Sequence, residues 1–460
     1  MLSCYFLYMY RNSWAVAVLA FAVAVGTLQM TVVVPLLPGL ERQLHAPSIT
    51  VSWTLTAGLL SGAISIPLLS RLGDMYGRRT MSLVALGLLV AGSALSAVAG
   101  TLPLLIAGRV LQGTAAPLLP LAMGLVRQMV PGHRLPSAIG VLSATIGVGS
   151  GGGMILAGLL GGDHRAVFWA LAGLAAMSFV LVATVVREAP TRASGRPDLI
   201  GAALIAVWLV CLLLAISKGA AWGWTSPPTL GLVGMAVAVA ALWVATARRT
   251  ASPLIEIPML LHRGTVGATV ASFLLGFALF AAITTVSAVA QGALGASVLQ
   301  VGIYLLPTTV LMLVVSVLAG PLMRRFTASA LVAGGSALVT AAALWLAVSR
   351  SSGADLYGAA TLLGLGVGLG YAALGTMAVE HVEPAKTAAA GGVNALVRVV
   401  GSSVAGAVGA AVLSSGGAGW SFGVAAGAAL LAALFAAAYG GLWRKRRDDA
   451  HRADAHAARP

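Results

Sequence analysis

The chain has 460 residues, 59% of them hydrophobic and 8% charged, with a mean hydropathy of +0.98. Soluble domains carry charge on roughly a quarter of their residues, so this composition excludes a water-soluble globule and puts the protein in a bilayer. The net charge of +15 then belongs at a membrane surface, where anionic head groups attract it, and does not point to nucleic acid.

Apolar stretches of about 20 residues, enough to cross a ~30 Å hydrocarbon layer as helices, recur along the whole chain. They predict an all-α polytopic membrane protein with fourteen transmembrane helices at 14–36, 51–69, 81–99, 102–126, 137–160, 166–186, 199–217, 229–247, 265–290, 299–323, 328–348, 355–379, 388–413 and 420–443. The breaks carry turn chemistry, as at Pro131-Gly132, Ser226-Pro227-Pro228 and Ser351-Ser352-Gly353. Residues 1–13 read as a cytoplasmic amino terminus without the basic start and small-residue cleavage site of a secretory signal. Residues 444–460, opening on Arg444-Lys445-Arg446-Arg447, read as a basic cytoplasmic tail, an unstructured topological anchor.

Charge fixes the orientation. With the amino terminus inside, 21 Lys or Arg fall in cytoplasmic segments, 4 outside (Arg42, Arg165, Lys218, Arg350) and 2 within spans (Arg109, Arg398). That bias satisfies the positive-inside rule and, with an even number of spans, returns the carboxyl terminus to the cytoplasm. The abundance of Arg over Lys, with much Ala and Gly, suggests a bacterial source and hence the inner cell membrane. Only Cys4 and Cys211 are present, and the His fall in loops, loop edges or the tail, so neither a disulfide framework nor a metal site is expected. No Gly-Lys-Ser phosphate loop occurs and no cofactor is implied. Without a nucleophile, base and acid set in the spans, an enzyme is not expected.

Arg109 is the most informative residue. It lies in the apolar string Leu105-Ile106-Ala107-Gly108-Arg109-Val110-Leu111-Gln112-Gly113, and the nearest acids along the chain are Asp74 and Asp163. A guanidinium in a bilayer is costly and is retained where it has a task. At 1.5 Å per residue, Arg109 and Gln29 of the first span both lie roughly 10 Å from the outer ends of their helices, at matching depth. Arg398, in Asn394-Ala395-Leu396-Val397-Arg398, begins about 15 Å inside its span. It can face a cavity and meet an anion, or snorkel and bond neighbouring helices.

The basic inner turns after the second span (Arg71-Leu72-Gly73-Asp74) and after the tenth (Pro321-Leu322-Met323-Arg324-Arg325) suggest an internal duplication. If they correspond, 14–186 and 265–443 are two pseudo-symmetric six-helix halves and 187–264 is a two-helix insert with its linkers.

Two strings carry a family resemblance. Arg71-Leu72-Gly73-Asp74-Met75-Tyr76-Gly77-Arg78-Arg79 resembles the inner-loop signature of the major facilitator superfamily, with Ser70 in place of its first glycine. Arg109-Val110-Leu111-Gln112-Gly113-Thr114-Ala115-Ala116 resembles the fourth-span signature of that superfamily's fourteen-span drug:proton antiporter branch. The resemblance implies a cytoplasmic gate made of Gly73, Asp74, Gly77, Arg78 and Arg79, closed when the halves meet on that side. Asp74 beside the start of the thirteenth span would gain about 0.3 to 1 kcal/mol from the helix dipole. It also implies a substrate and proton pathway involving Gln29, Arg109, Gln112, Asn394 and Arg398. Gly149, Gly153 and Gly158 on the fifth span are similar to the antiporter motif of that helix, where Met154 stands in place of proline, and small residues there let helices approach closely.

The chain departs from that family at a chemically important place. The first span of such antiporters carries an acid where this chain reads Leu28-Gln29-Met30-Thr31, and an amide does not titrate. The twelve acids, Glu41, Asp74, Asp163, Glu188, Asp198, Glu256, Asp355, Glu380, Glu383, Asp448, Asp449 and Asp454, lie in loops, at span ends or in the tail. Arg stays protonated. Three accounts of coupling remain: Asp74, Asp355 or Glu380 carries the proton, the substrate is anionic or brings its own proton, or coupling is weak. The expected function is a secondary active transporter that exports hydrophobic or amphiphilic small molecules by alternating access, drawing on a proton gradient. The alternatives are a carrier of an anionic metabolite and a non-transporting membrane sensor or assembly partner.

Overall fold

The computed structural model describes residues 2–457 except 34–35, 47, 52, 132–133, 162, 189–197, 251–252, 254–256, 258–262, 381 and 383–386. Most of both linkers around the expected insert, with Glu256 and Glu383, therefore lies outside the described residues, as do the tail's side chains. The described secondary structure is helical throughout. In chain order the helices are α1 (Leu2–Thr31), α2 (Leu37–Gln43), α3 (Ser48–Val51), α4 (Trp53–Tyr76), α5 (Arg78–Ala97), α6 (Leu102–Gly113), α7 (Leu118–Met129) and α8 (Leu135–Leu159). They continue with α9 (His164–Val185), α10 (Leu199–Trp222), α11 (Pro227–Ala247), α12 (Arg263–Gly292), α13 (Val298–Met323), α14 (Ala328–Val348), α15 (Gly353–Val379) and α16 (Thr387–Ala457).

Among the described residues ten helical stretches, with α6 and α7 together counting as one, are long and apolar enough to cross a bilayer, and α10 and α13 add the shorter apolar stretches Ile200–Ile216 and Leu299–Val315. The protein is an all-helical polytopic membrane protein. Its starts and stops follow local chemistry: Ser297 and Ser352 form capping boxes with Gln300 and Asp355, satisfying amide groups that a first helical turn leaves free. Gly417 has φ 73° and breaks the long α16, a backbone angle that costs a glycine least.

Several elements differ from the expectation. The first long helix ends at Thr31, and the short α2 follows with a proline in its first turn, so the apolar run to residue 36 is not one helix. The fourth span is interrupted at Thr114–Pro117 between α6 and α7; Pro117 lacks an N–H and disfavours helix in the residue before it. Lys218, assigned from sequence to an outer loop, lies within α10, is 3% exposed, and holds its amine 4.5 Å from the Trp53 ring centroid on α4. The tail expected to be unstructured continues as helix to Ala457.

Two helical bundles meet at the centre. In the first, α1 packs on α8 and α9, α5 on α6 and α9, and α4 on α6; in the second, α12 packs on α16 and α15, and α14 lies against α15 and α16. The bundles touch along two seams, α8 against α13 and α15, and α4 with α7 against α16. Helix α10 lies over the second seam, contacting both α4 and α16, with α11 packed on its outer side. An apolar cluster of Ile66, Leu209, Leu213, Trp243 and Leu396 fills that junction.

Candidate functional site

Close approach of the helices sets the site's shape. A Cβ on Gly149 or Gly153 would collide with the hydroxyls of Thr27 and Thr31 on α1, and one on Gly158 would lie 2.8 Å from the Leu299 Cα on α13. Gly149 and Gly153 thus seat α1 against α8, and Gly158 seats the first bundle against the second. Thr27 donates to the Thr145 carbonyl across the first contact at 3.3 Å. In the second bundle Ser402 donates to the Gly276 carbonyl at 3.2 Å, so α16 approaches α12 in a similar way.

Arg109, Gln29 and Gln112 are brought together within the first bundle. Arg109 is 1% exposed and both glutamines are fully buried. The guanidinium donates from Nε to the Thr54 carbonyl at 3.0 Å and from Nη1 to the Gln29 carbonyl at 2.8 Å. Nη1 also reaches Gln29 Oε1 at 3.1 Å and Gln112 Oε1. Gln112 Nε2 donates onward to Ser93 at 3.2 Å and Ser96 at 3.4 Å. Gly58 makes room for the cation, since a Cβ there would lie 2.8 Å from Nη2. Hydrogen bonds to backbone and amide oxygens spread the charge without a carboxylate, as a buried cation requires.

The central cavity, about 140 Å³, lies between the bundles, and Arg109, Gln29 and Gln112 are not among its lining residues. It is lined mainly by apolar side chains such as Leu55, Leu279, Phe280 and Ile283, with the hydroxyls of Thr27, Thr31, Thr284, Thr308, Thr309 and Ser402. Ala115 and Ala116, from the break between α6 and α7, also line it. Irregular backbone at membrane depth is tolerated where it faces a cavity rather than lipid.

Among the described residues Arg398 is the charged residue of that lining. Its guanidinium lies 4.9 Å from the ring centroid of Tyr371 on α15, an aromatic that sequence reading passed over. The preceding Gly364 to Gly370 run reads as a packing face, and Gly364, Gly366, Gly368 and Gly370 do meet neighbouring helices closely. Nothing in that pattern signals which side chain will face a cation from another helix. Asn394, one turn before Arg398, accepts from Ser272 at 2.6 Å and donates to the Leu374 carbonyl at 3.4 Å. It ties α16 to α12 and α15 and borders a small void of about 10 Å³ beside Arg398.

At the opposite end of α4, Asp74 and Arg78 form a buried ion pair, with Arg78 Nη2 2.7 Å from Asp74 Oδ1. Arg78 also donates to the Gly124 carbonyl on α7 at 2.9 Å. Gly73 packs against Leu121, and Gly77 has φ 115°, the positive angle that turns α4 into α5. Arg79 donates to the Ala183 carbonyl at 2.6 Å. The Glu188 carboxylate, unforeseen from sequence because it lies more than a hundred residues away, accepts from the Thr80 amide at 3.1 Å and caps the start of α5. The expected contact of Asp74 with the start of α16 falls on a segment, 383–386, outside the described residues. A bond between bundles is present nearby: Arg127 at the end of α7 donates to the Val382 carbonyl at 3.2 Å.

Two helical bundles enclosing an apolar cavity across a shared seam define a membrane transporter. The chain belongs to the Major Facilitator Superfamily, whose profile matches residues 19–406 and again 268–459. It is 32% identical over 404 residues, 84% of this chain and 74% of the relative, to the tetracenomycin C resistance and export protein of Streptomyces glaucescens. It is 27% identical over 385 residues, 82% of this chain and 72% of the relative, to the multidrug resistance protein Stp of Mycobacterium tuberculosis. The fold matches the human organic anion transporter MFSD10 (TETRAN) with a TM-score of 0.67, 19% identity and coverage of 92% of this chain and 99% of that one. It matches the proton:xylose symporter XylE with a TM-score of 0.68, 14% identity and coverage of 93% and 95%.

Proposed function

We propose that this transporter exports hydrophobic or amphiphilic small molecules from a bacterial cell across its inner membrane by alternating access, powered by the proton-motive force. The observation that carries the reading is the apolar cavity between two bundles with few polar anchors, the form of site that suits such cargo. Relatives named for antibiotic resistance and export support the direction.

The same reading places the chain in the fourteen-span drug:proton antiporter branch. Helices α8, α10 and α13 and the first part of α16 join the ten long apolar helices to make fourteen crossings, with residues 14–186 and 265–443 as the halves and 187–264 as the inserted pair. Both termini lie in the cytoplasm, as the positive-inside bias requires. Asp74 and Arg78, held by Gly73, Gly77 and Arg79, latch the cytoplasmic side while the cavity faces outward. Arg109, Gln29 and Gln112 brace the first half beside the pathway, and Asn394 holds Arg398 toward it.

A second account of coupling is favoured by one observation: among the described residues no acidic side chain lines the cavity, so the proton or charge travels with the substrate rather than on a cavity carboxylate. Flux in proteoliposomes against a panel of hydrophobic compounds, with pH gradient and membrane potential varied separately, tests both. Movement of at least one such compound under an imposed gradient is expected, and no flux of any compound under every gradient overturns the export reading.

A further inference from the structure

Arg398 presents an arrangement that export of neutral hydrophobic compounds does not use. Guanidinium carries five N–H donors in a plane, and the face of an aromatic ring engages the charge without accepting those donors at their edges. Among the described residues the Arg398 guanidinium meets the Tyr371 ring and no carboxylate or hydrogen-bonding acceptor. Partly buried and facing the cavity, its donors are open to any occupant that brings an acceptor. A carboxylate or sulfonate fits the fork through two parallel, charge-assisted bonds.

The space around it fixes the rest of the occupant. Gly276 gives the arginine stem room, since a Cβ there would lie 2.7 Å from Arg398 Cγ. Thr284 lines the same cavity from eight residues farther along α12, about 12 Å away at the helical rise. Between them lie Leu279, Phe280 and Ile283, a wall for an apolar or aromatic body. One end of the cavity is therefore cationic, and the other is apolar with hydroxyls.

We infer that Arg398, held over Tyr371, is the binding point for the anionic group of a lipophilic weak acid whose apolar body extends toward Thr284. This deepens the export reading, and rests on it, by giving the cargo's chemical class. A cationic amphiphile is disfavoured by the same charge, because among the described residues no lining acid offsets it.

The test is binding to the purified full-length protein in nanodiscs, by titration calorimetry, with three ligands of one shape: 2-naphthoate, 2-naphthamide and 2-naphthylmethylammonium. 2-Naphthoate is expected to bind at least roughly tenfold tighter than the neutral amide, as a charge-assisted pair supplies, with the ammonium weakest. Arg398→Gln should bring 2-naphthoate down to the level of the amide, and Arg398→Lys should keep part of the preference. Equal binding of acid and amide by the unmodified protein overturns the inference without any variant having to fold, as does an absence of 2-naphthoate binding. A tenfold preference that survives in a folded Arg398→Gln protein also overturns it. The flux panel separates the two readings. Export of neutral compounds with no acid preference in binding leaves export standing and removes the anion site. Arg398-dependent binding of 2-naphthoate without flux of any compound does the reverse.

Discussion

The Arg109 guanidinium grips Gln29 twice, at its backbone carbonyl and at its side-chain oxygen, 2.8 and 3.1 Å away. A residue that joins α1, α4 and α6 through buried oxygens acts first as a brace. Arg109→Ala strands four acceptors, the carbonyls of Thr54 and Gln29 and the side-chain oxygens of Gln29 and Gln112, and at roughly 1 kcal/mol for each the loss is about 4 kcal/mol. The expected result is a markedly lower melting temperature in detergent, with Arg109→Lys intermediate because an ammonium lacks the planar fork. A fully stable Arg109→Ala protein would show that the residue is retained for transport alone.

Gln29 has a buried Nε2 with no partner among the described residues, an unusual cost at a position where an acid is expected from the family pattern. Gln29→Asp removes that orphan donor and puts a carboxylate beside the guanidinium. Stability should hold or rise. Because the cluster does not line the cavity, the dependence of flux on a pH gradient should stay within about twofold of the parent. A steep new pH dependence would move this cluster into the proton pathway.

Alanine at Gly149 or Gly153 pushes a methyl into Thr27 or Thr31 and into nearby backbone oxygens on α1. Overpacking of this sort costs about 1 to 3 kcal/mol. Alanine at Gly173 on α9, where a Cβ meets nothing within 4 Å, is the matched control and should be silent in the same thermal melts.

Asp74→Asn leaves Arg78, 6% exposed, with a charge its partner no longer offsets. Losing one member of a buried pair costs about 3 to 5 kcal/mol, and the cytoplasmic closure should loosen. Ser70, 2% exposed and close to Gly392, reports on it. A Ser70→Cys protein should react with a membrane-impermeant maleimide from the inner side several times faster when Asp74 is Asn, and unchanged labelling would remove the latch role.

Glu380 is the one carboxyl at the membrane edge, of the three considered, that keeps no described partner, since Asp74 pairs with Arg78 and Asp355 closes a capping box. It lies exposed just past α15, yet partial desolvation pushes its carboxyl above the usual carboxylate range. A raised value means the proton is held to higher pH and released as pH rises through that value. With charge travelling on the cargo, Glu380→Gln should nevertheless leave flux and its pH profile within about twofold. Efflux of a monoanion should instead follow an inside-negative potential, worth about 2.3 kcal/mol per 100 mV. Loss of pH dependence in Glu380→Gln would assign the proton to this residue.

The sequence was most informative where a one-dimensional pattern carries the physics. Apolar runs long enough for a bilayer, the one-sided placement of Arg and Lys, and the Gly73-Asp74 and Arg109-Gln112 strings mark a polytopic transporter of this superfamily without any knowledge of its contacts. The depth match of Gln29 and Arg109 follows from helical rise alone, and the two residues do meet. Helix ends were less legible: the turn at Thr114 to Pro117 and the stop at Thr31 lie inside apolar runs that a hydropathy window reads as continuous.

Which way a side chain points was decided only by tertiary structure. Arg109 and Arg398 look alike along the chain, each a lone cation in an apolar span. Packing closes α1, α4 and α6 around the first and leaves the second at the cavity between bundles, against Tyr371. Lys218 is buried over Trp53 because α10 lies across the seam, and Glu188 caps α5 because α9 returns beside it. Hydropathy and spacing record how deep a residue lies, whereas the angle at which neighbouring helices cross decides whether it meets protein or open space.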